Sequence, residues 1–233
     1  MTTRVAILVL FLILLADSVI AASTPSVWLI AAVLVGWFLA DLMSGVVHMV
    51  MDYRPSPTGV GLDRLYFYEG SRESGEYLAL RRAAFARLTP IQRITYDFKN
   101  HHPRPDALGR RPMLVQLGAT VLFTTLPVAV VANVLLALAG WPALPTAALV
   151  SFLTGATFAQ YFHGTLHRQD NPWPIDAMRR LRLLMRPEDH RRHHETLTYD
   201  FSTINGWSNP VLNAVFRLAH RRGWLRDEGL TPG

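Results

Sequence analysis

The sequence contains no cysteine among its 233 residues. This absence excludes disulfides, thiolate zinc sites, cysteine-ligated iron–sulfur clusters and a cysteine nucleophile, so any metal must be held by histidine and carboxylate. Lysine is nearly absent too, because Lys99 is the only one and the other basic residues are arginines. The sequence also has no Gly-x-Gly-x-x-Gly motif and no flavin motif. A redox reaction on this chain would therefore take its electrons from a separate donor.

Charged residues are scarce, at 17% of the chain, and they are segregated from long apolar runs. A helix crosses the ~30 Å bilayer core at ~1.5 Å per residue, so about 20 apolar residues suffice. Four spans meet or approach this length: Val5–Ala22, Val27–Met51, Met113–Ala139 and Ala143–His163. The sequence therefore predicts an all-α integral membrane protein with about four transmembrane helices. Pro127 is expected to kink the third of them, which membrane helices tolerate.

The first span has an alternative interpretation as a signal peptide. Arg4 precedes its apolar run, and Val19-Ile20-Ala21-Ala22 ends it in small residues that are typical of a cleavage site. The length of the run favours a membrane span. We expect residues 1–26 to form an N-terminal span that could also serve as a signal anchor.

The distribution of basic residues predicts the topology. Of the 23 basic residues, one precedes the first span, 11 lie between Arg54 and Arg111, and 11 follow the fourth span. The positive-inside rule then places the N-terminus, the middle segment and the C-terminal segment in the cytoplasm. Because this bias already accounts for the charge, we predict no nucleic-acid partner.

The two basic segments are predicted to be helical rather than to be linkers. In the middle segment, helices are expected at Glu76–Leu88 and around Ile91–Asn100. A third helix is expected at Trp173–Met185, with an apolar face and an arginine-rich face. Its apolar residues are Ile175, Met178, Leu181 and Leu184, and its polar residues include Arg179, Arg180, Arg182 and Arg186. Such a helix could lie at the lipid headgroups or pack on the protein, and the pattern fits both.

The most informative stretch is PEDHRRHHETLTYDFSTINGWSNP, residues 187–210, which carries the spacing His-x-x-His-His. Pro187 followed by two acidic residues indicates the first turn of a helix. Residues three and four apart share a helix face, so His190 should present its imidazole beside those of His193 and His194. Three imidazoles on one turn suit a transition metal. The Asn205-Gly206-Trp207 and Asn209-Pro210 sequences are expected to form turns.

Five more histidines occur in three groups near the same predicted membrane face. His48 shares a helical stripe with Asp41 and Asp52, His101 and His102 are adjacent, and His163 and His167 are spaced as His-x-x-x-His. Eight imidazoles exceed the four ligands of one structural zinc, so we expect two metal ions, and nitrogen ligands without thiolates suit iron. Six side chains are expected beside the ligands: Asp41, Asp52, Glu188, Asp189, Asp200 and Asn205. The five acidic ones could orient the imidazole N–H groups or complete a coordination site. We interpret His220 as a surface residue.

Several motifs together resemble the lipid-desaturase-domain family of plasmanylethanolamine desaturases, called CarF-like in bacteria. They are Asp-x-x-Ser-Gly-x-x-His-x-x-x-Asp at 41–52, the pair at 101–102, His-x-x-x-His at 163–167, and HRRHH followed by Tyr199-Asp200 and Asn-Gly-Trp-x-Asn-Pro. The resemblance covers about residues 36–210. It implies an integral-membrane, non-haem di-iron, oxygen-dependent desaturase whose eight histidines bind two iron ions. We therefore expect a lipid desaturase domain at 27–210 and a basic cytoplasmic tail at 211–233.

The resemblance also implies a phospholipid substrate in a bacterial inner membrane, with the histidine-rich helical cap in the cytoplasm. One branch of the family makes the vinyl ether of plasmalogens from an alkyl ether lipid, and a plant branch desaturates an acyl chain. We expect the plasmanyl ether lipid as the substrate. Because the residues after His102 differ from the ether-lipid branch, acyl-chain desaturation stays open. Lipid hydroxylation stays open too, because membrane lipid hydroxylases share such histidine-rich motifs. A ferredoxin or a cytochrome b5-like protein is the expected electron donor.

A non-enzymatic alternative is a membrane metal carrier or a haem protein with two histidine ligands. Clustering of paired histidines at the ends of spans argues against both, because a carrier would place ligands along a path through the midplane. The sequence leaves the oligomeric state open.

Overall fold

The apolar runs and their charged connections form helices throughout the computed structural model, which describes residues 2–232. Within that range there is no β-strand. In chain order the α-helices are α1 Thr3–Ala22, α2 Trp28–Tyr53, α3 Leu62–Tyr66, α4 Gly75–Ala86, α5 Pro90–His101, α6 Pro105–Gly109, α7 Met113–Thr120, α8 Leu126–Leu138, α9 Ala143–Leu166, α10 Trp173–Arg180, α11 Pro187–Thr196 and α12 Asn209–Arg221. A π-helical turn joins α7 to α8, and a short 3₁₀ turn, Asp227–Gly229, follows α12.

Four helical segments are long and apolar enough to cross a membrane: α1, α2, α7 continued into α8, and α9. Many of their apolar side chains point outward, as Leu8 and Leu138 do with 59% and 81% of their surface exposed. Apolar side chains on the outside of the helices are expected in a membrane protein, because lipid tails surround the helices in the bilayer. The predicted all-α fold with four membrane-spanning helices is therefore confirmed.

Pro127 affects the third span through a π-helical turn. Proline has no N–H to donate and its ring crowds the preceding turn, so the regular α-helical ladder cannot continue through it. The chain widens into a π-helix at Val121–Thr125 and resumes an α-helix in which Pro127 occupies the first turn. There Thr157 on α9 donates a hydrogen bond to Thr125 over 3.1 Å. The hydroxyl of Thr125, which lies within the span, thus has a hydrogen-bond partner on the neighbouring helix.

Small residues allow α2 and α9 to pack closely. A Cβ atom at Gly36 would collide with the backbone of Ala148, and one at Gly155 would lie 2.6 Å from the Cβ of Ala40. Close approach of this kind is how membrane helices gain packing energy without a hydrophobic driving force between them. Ser151 adds a hydrogen bond of 2.7 Å to the carbonyl of Val33. The two helices therefore lie side by side, and near their C-terminal ends the rings of His48 and His163 are 5.0 Å apart.

The helix after the fourth span is shorter than predicted, because α10 ends at Arg180 and not at Met185. Arg182 adopts a left-handed backbone with φ +58°, which breaks the helix. Ile175 and Leu184 are buried in a cluster with Trp37, whereas Leu181, which was expected on the same apolar face, is 69% exposed. Of the two interpretations of this segment, packing on the protein fits Ile175 and Leu184 only.

Arg179 also departs from the prediction, since it was assigned to the solvent face of that helix. It is only 9% exposed, and its guanidinium donates to the carbonyl oxygens of Thr165 and Met185 at 2.9 and 3.1 Å. The arginine therefore satisfies one carbonyl at the end of α9 and one in the segment that follows α10. Asn209-Pro210 differs from the prediction as well, because it begins α12, with the proline at a first-turn position.

Candidate metal centre

Four helices bring all eight histidines of the predicted set to one place. They come from α2, from the end of α5, from the end of α9 and from α11. Their ring nitrogens form two groups, each with its ligand atoms within 4.8 Å of one another. The first group, called the five-histidine group below, is His101, His163, His167, His190 and His194. The second, called the Asp52 group, is His48, Asp52, His102 and His193.

Adjacent histidines are divided between the two groups. His101 and His102 point to different groups, and so do His193 and His194. Successive residues on an α-helix lie about 100° apart around its axis, so neighbouring imidazoles diverge. His190 and His194 are four residues apart and share one group, as their common face requires. Each His-His pair thus links the two groups, whose rings stay in contact, with 4.3 Å between the ring centroids of His101 and His102.

The five-histidine group has the nitrogen spacing of a metal site. The Nε2 atoms of His163 and His190 are 3.0 Å apart. Two nitrogens that bind one ion at about 2.1 Å lie about 3.0 Å apart at a right angle and about 3.4 Å apart in a tetrahedron. The Nε2 atoms of His101, His167 and His194 are buried and have no hydrogen-bond partner among residues 2–232. Leaving buried polar atoms without a partner costs free energy, and one metal ion shared by these nitrogens would remove that cost.

The Asp52 group has the same character around one carboxylate. The Oδ2 atom of Asp52 lies 3.4 Å from Nε2 of His48, 3.3 Å from Nε2 of His193 and 3.6 Å from Nε2 of His102. Both carboxylate oxygens are buried without a hydrogen bond in the described part of the chain. These separations resemble the edges of a tetrahedral site with ligands at about 2.1 Å. Asp52 was expected beside the ligands, and its position fits a ligand directly.

Backbone carbonyls hold several imidazoles in orientation. Nδ1 of His48 lies 2.9 Å from the carbonyl oxygen of Phe201, and Nδ1 of His193 lies 2.9 Å from that of Tyr199. His101 makes the same kind of contact with the carbonyl of Phe98. A carbonyl only accepts, so Nδ1 carries the proton and the Nε2 lone pair faces the centre. This tautomer suits metal ligation through Nε2.

Burial keeps the imidazoles neutral. It lowers the pKa of His102 to about 2, that of His194 to about 3 and that of His167 to about 4, and neighbouring histidines lower each further. Burial also lowers the pKa of His101 and of His190, again with support from nearby imidazoles. A metal binds only the deprotonated nitrogen, so neutral rings at neutral pH are ready to bind.

Only Asp52 among the six residues expected beside the ligands contacts an imidazole. Asp41 accepts hydrogen bonds from the backbone of residues 204–206 and 208 and from the Ser208 hydroxyl. Asp200 is paired with Asn213 and with Arg192 at 3.7 Å. The remaining three also make their contacts elsewhere: Glu188 is exposed, Asp189 faces Arg182 at 3.8 Å, and Asn205 accepts from the backbone of Trp207. The carbonyls described above orient the rings instead.

Lys99 is a buried cation that the sequence interpretation missed. Its side chain is fully buried, and Nζ donates to the carbonyl of Arg54 at 2.5 Å and to the hydroxyl of Ser56 at 3.0 Å. Burial lowers its pKa to about 8, and the Asp52 carboxylate opposes this shift. The signal available in the sequence was that it is the only lysine in an arginine-rich chain.

His220 lies apart from the centre, as the sequence interpretation expected. Its Nε2 atom is 3.0 Å from Asp227, and 39% of the side chain is exposed. Its ring stacks on Phe216, so its environment is that of an ordinary surface histidine.

Comparisons with known proteins agree with this geometry. The family model described as lipid desaturase domain matches residues 89–220, which include seven of the eight clustered histidines. The plasmanylethanolamine desaturase of Myxococcus xanthus is 27% identical over 193 residues, which are 80% of this chain and 57% of that protein. This chain therefore spans little more than half the length of that relative. No solved structure is significantly similar to it.

Proposed function

The chain belongs to the lipid desaturase domain family, and we propose that it is an oxygen-dependent desaturase. In this proposal it holds two non-haem iron ions and makes the vinyl ether of plasmalogens from a plasmanyl ether phospholipid. Family membership supports an integral-membrane oxidoreductase that acts on lipid. The observation that carries the two-ion proposal is the pair of touching ligand groups, one with five histidines and one with three histidines and Asp52. The name of the Myxococcus xanthus relative supports the ether substrate.

The protein's part in the reaction is to hold, orient and shield. An unactivated C–H bond is not acidic, so acid–base groups alone cannot remove its hydrogen. Bound iron would supply oxygen activation and electron transfer, which amino-acid side chains lack. The five-histidine group would hold one ion and the Asp52 group the other, while the carbonyls of Phe201 and Tyr199 keep the ring nitrogens directed inward. Burial of these side chains excludes water from a site that handles reactive oxygen species.

The position of the centre favours carbons near the headgroup. His48 and His163 lie near the adjacent ends of α2 and α9, so the centre is at the end of two membrane spans and not at the midplane. A phospholipid in the bilayer presents the first carbons of its chains at that depth. In an sn-1 alkyl chain these carbons are the ones that become a vinyl ether. An acyl chain would meet the same centre slightly further from its carboxyl group.

Electrons are expected from a ferredoxin or a cytochrome b5-like protein. Neither a dinucleotide nor a flavin motif occurs in the sequence. Exposed arginines such as Arg180, Arg182 and Arg191 lie on the elements that carry or flank the histidines. A basic face of this kind steers an acidic redox partner toward the centre.

The reaction is tested with membranes that contain the protein, oxygen, a reducing system of ferredoxin or cytochrome b5, and a synthetic plasmanyl phospholipid. We expect a product with two hydrogens fewer whose double bond is acid-labile, since a vinyl ether hydrolyses in acid. A product with one oxygen more would indicate hydroxylation and contradict the proposal. Desaturation of an acyl lipid alone would replace the ether substrate. Unchanged turnover without oxygen or without iron would overturn the oxygen-dependent mechanism.

The orientation of the centre is a second test. We propose that the protein lies in a bacterial inner membrane with its histidine-rich cap in the cytoplasm, and the arginine distribution supports this orientation. Reporter fusions at Ser71, at Pro174 and at the C-terminus should be active only as cytoplasmic reporters, and a fusion at the Gly140-Trp141 turn only as an external one. A C-terminal reporter on the outer side would contradict the proposed orientation.

A further inference from the structure

Arg72 is held in place by neutral acceptors beside the metal centre. Its guanidinium donates to the carbonyl of Leu65 at 2.8 Å, to Asn100 at 3.0 Å and to the hydroxyl of Tyr77 at 3.1 Å. Its Nε atom is buried and has no partner among residues 2–232. The side chain is therefore fixed in position while its positive charge is not neutralised.

Arg104 lies next to it and has donors to spare. It shares two acceptors with Arg72, the side chain of Asn100 and the carbonyl of Tyr66, each at 3.2 Å. A guanidinium has five N–H groups, so most of those on Arg104 remain without an acceptor in the described part of the chain. Burial lowers the pKa of Arg104, and the charge of Arg72 lowers it further. Two like charges are thus held side by side.

Within the described residues neither guanidinium has an acidic partner. Other arginines on this side of the protein do, with carboxylates at 3.5 Å for Arg111 and 3.6 Å for Arg179. Across residues 2–232 no carboxylate lies within 4.0 Å of Arg72 or Arg104. Holding two neighbouring cations without a counter-ion costs free energy, and a planar fork of N–H groups matches a phosphate oxygen pair.

Both arginines line one open cleft of about 560 Å³, within the size range of ligand sites. Aromatic side chains of Tyr66, Phe67 and Tyr68 form part of its wall, and Glu69 is the one carboxylate in the lining. Free inorganic phosphate would bring only negative charge to a cleft that contains Glu69. A zwitterionic headgroup brings a phosphate for the arginines and its own cation for the glutamate.

The cleft is close to the candidate metal ligands. Arg104 is two residues from His102 in sequence, so the Cα atoms of the two residues are at most about 7 Å apart. Its backbone N–H also donates to the carbonyl of His101 at 3.0 Å. In a glycerophospholipid only the glycerol backbone and one ether or ester oxygen separate the phosphate from the first carbons of the sn-1 chain. A phosphate in the cleft would leave these carbons within reach of the centre.

We propose that Arg72 and Arg104 bind the phosphodiester of a zwitterionic glycerophospholipid and so position the first carbons of its chain at the metal centre. This inference rests on the proposed function for the identity of the lipid as substrate. The binding itself can be measured without turnover. Arg104 is the better residue to test, because Arg72 also holds the carbonyl of Leu65 and its loss would disturb the fold.

The test is a lipid titration of the iron-loaded full chain in detergent, followed by native mass spectrometry. Dioleoyl phosphatidylethanolamine is compared with dioleoylglycerol, which has the same chains and no phosphate. We expect Arg104→Gln to weaken binding of the phospholipid about tenfold, a change of about 1.4 kcal/mol, and to leave binding of dioleoylglycerol unchanged. Arg104→Lys should give a smaller loss, because it keeps the charge without the planar fork. The matched control is Arg110→Gln, which removes an exposed arginine from the same segment and should change binding less than twofold.

Three results would overturn the proposal: phospholipid affinity equal to wild type in Arg104→Gln, an equal loss for both lipids, or an equal loss in Arg110→Gln. A further arm adds inorganic phosphate, and strong competition at millimolar concentration would assign the cleft to free phosphate and contradict a headgroup site. Iron content and melting temperature equal to wild type show that each variant is folded. Because binding is measured without turnover, phosphate-dependent binding in a protein that makes no desaturated product would refute the proposed function alone.

Discussion

Replacing any one of the eight clustered histidines with alanine is expected to lower turnover by more than about 100-fold, because loss of a residue that merely orients a ligand already costs 10–100-fold. Each imidazole removed takes away one coordination bond, and no cysteine exists to replace it. Bound iron should fall in the same variants. Elemental analysis of the purified protein and desaturase assays in membranes measure the two effects. The series is His48, His101, His102, His163, His167, His190, His193 and His194.

His220→Ala is the control for this series, since His220 lies outside both groups and should keep its iron and its turnover. Asp52→Asn extends the series with a change that keeps the shape of the side chain and removes its charge. Because Asp52 is the one carboxylate of its group, we expect this variant to lose the ion of that group and to keep the other. If three or more of the eight histidine variants keep near-wild-type iron and turnover, the two-ion arrangement is wrong.

The convergence of the histidines could be predicted because it depends on patterns that the sequence displays. The length of the apolar runs predicted the four spans, and the arginine distribution predicted that their histidine-bearing ends lie on one side. Spacing on α11 predicted a shared face for His190, His193 and His194, and the structure keeps His190 and His194 in one group while His193 belongs to the other. The division of adjacent histidines between two groups could not be predicted, because it depends on how each helix is rotated when α5, α9 and α11 pack together.

The groups that orient the rings were beyond sequence reasoning for a different reason. Two of the three are the carbonyls of Tyr199 and Phe201 in the irregular segment after α11, where Leu197 and Asp200 adopt left-handed backbone conformations with φ +56° and +58°. Every residue has a carbonyl, so residue type carries no information about which one is used. The sequence interpretation relied on polar side chains and expected Asp41, Asp52, Glu188, Asp189, Asp200 and Asn205 beside the ligands.

The burial of two basic residues could not be predicted from the sequence either. Lys99 and Arg179 were counted among the basic residues that predict the cytoplasmic segments. The structure buries both and binds them to carbonyl oxygens at the ends of α2 and α9. A basic residue near a span end fits both a surface charge and a cap for unsatisfied carbonyls, and only tertiary contacts decide between them.

Asp41 lies in α2, yet it organises a segment more than 160 residues away in sequence. Its Oδ1 atom accepts from the backbone N–H groups of residues 204–206 at 2.8–3.3 Å. Its Oδ2 atom accepts from the N–H and the hydroxyl of Ser208 at 3.0 and 2.6 Å. The carboxylate is fully buried. Successive N–H groups around Gly206, whose φ is +83°, need an acceptor of this kind because no helix or strand satisfies them there.

We expect Asp41→Asn to destabilise the protein and to loosen the metal centre. An amide has one acceptor oxygen, so its NH₂ group must face either the N–H groups of residues 204–206 or that of Ser208, and a buried donor left unsatisfied costs about 1–3 kcal/mol. For a chain of this size each kcal/mol lowers the melting temperature by about 2–4 °C, so we expect a loss of about 2–12 °C. The segment that Asp41 anchors continues from Phe201, whose carbonyl orients His48, so iron content and turnover should fall as well, by about 10–100-fold in turnover. Thermal unfolding, elemental analysis and the desaturase assay measure these effects.

The matched control is Asp189→Asn, an exposed aspartate on α11 that was also predicted to lie beside the ligands and faces only Arg182 at 3.8 Å. It should leave all three quantities unchanged, and equal effects of the two substitutions would contradict an anchoring role for Asp41.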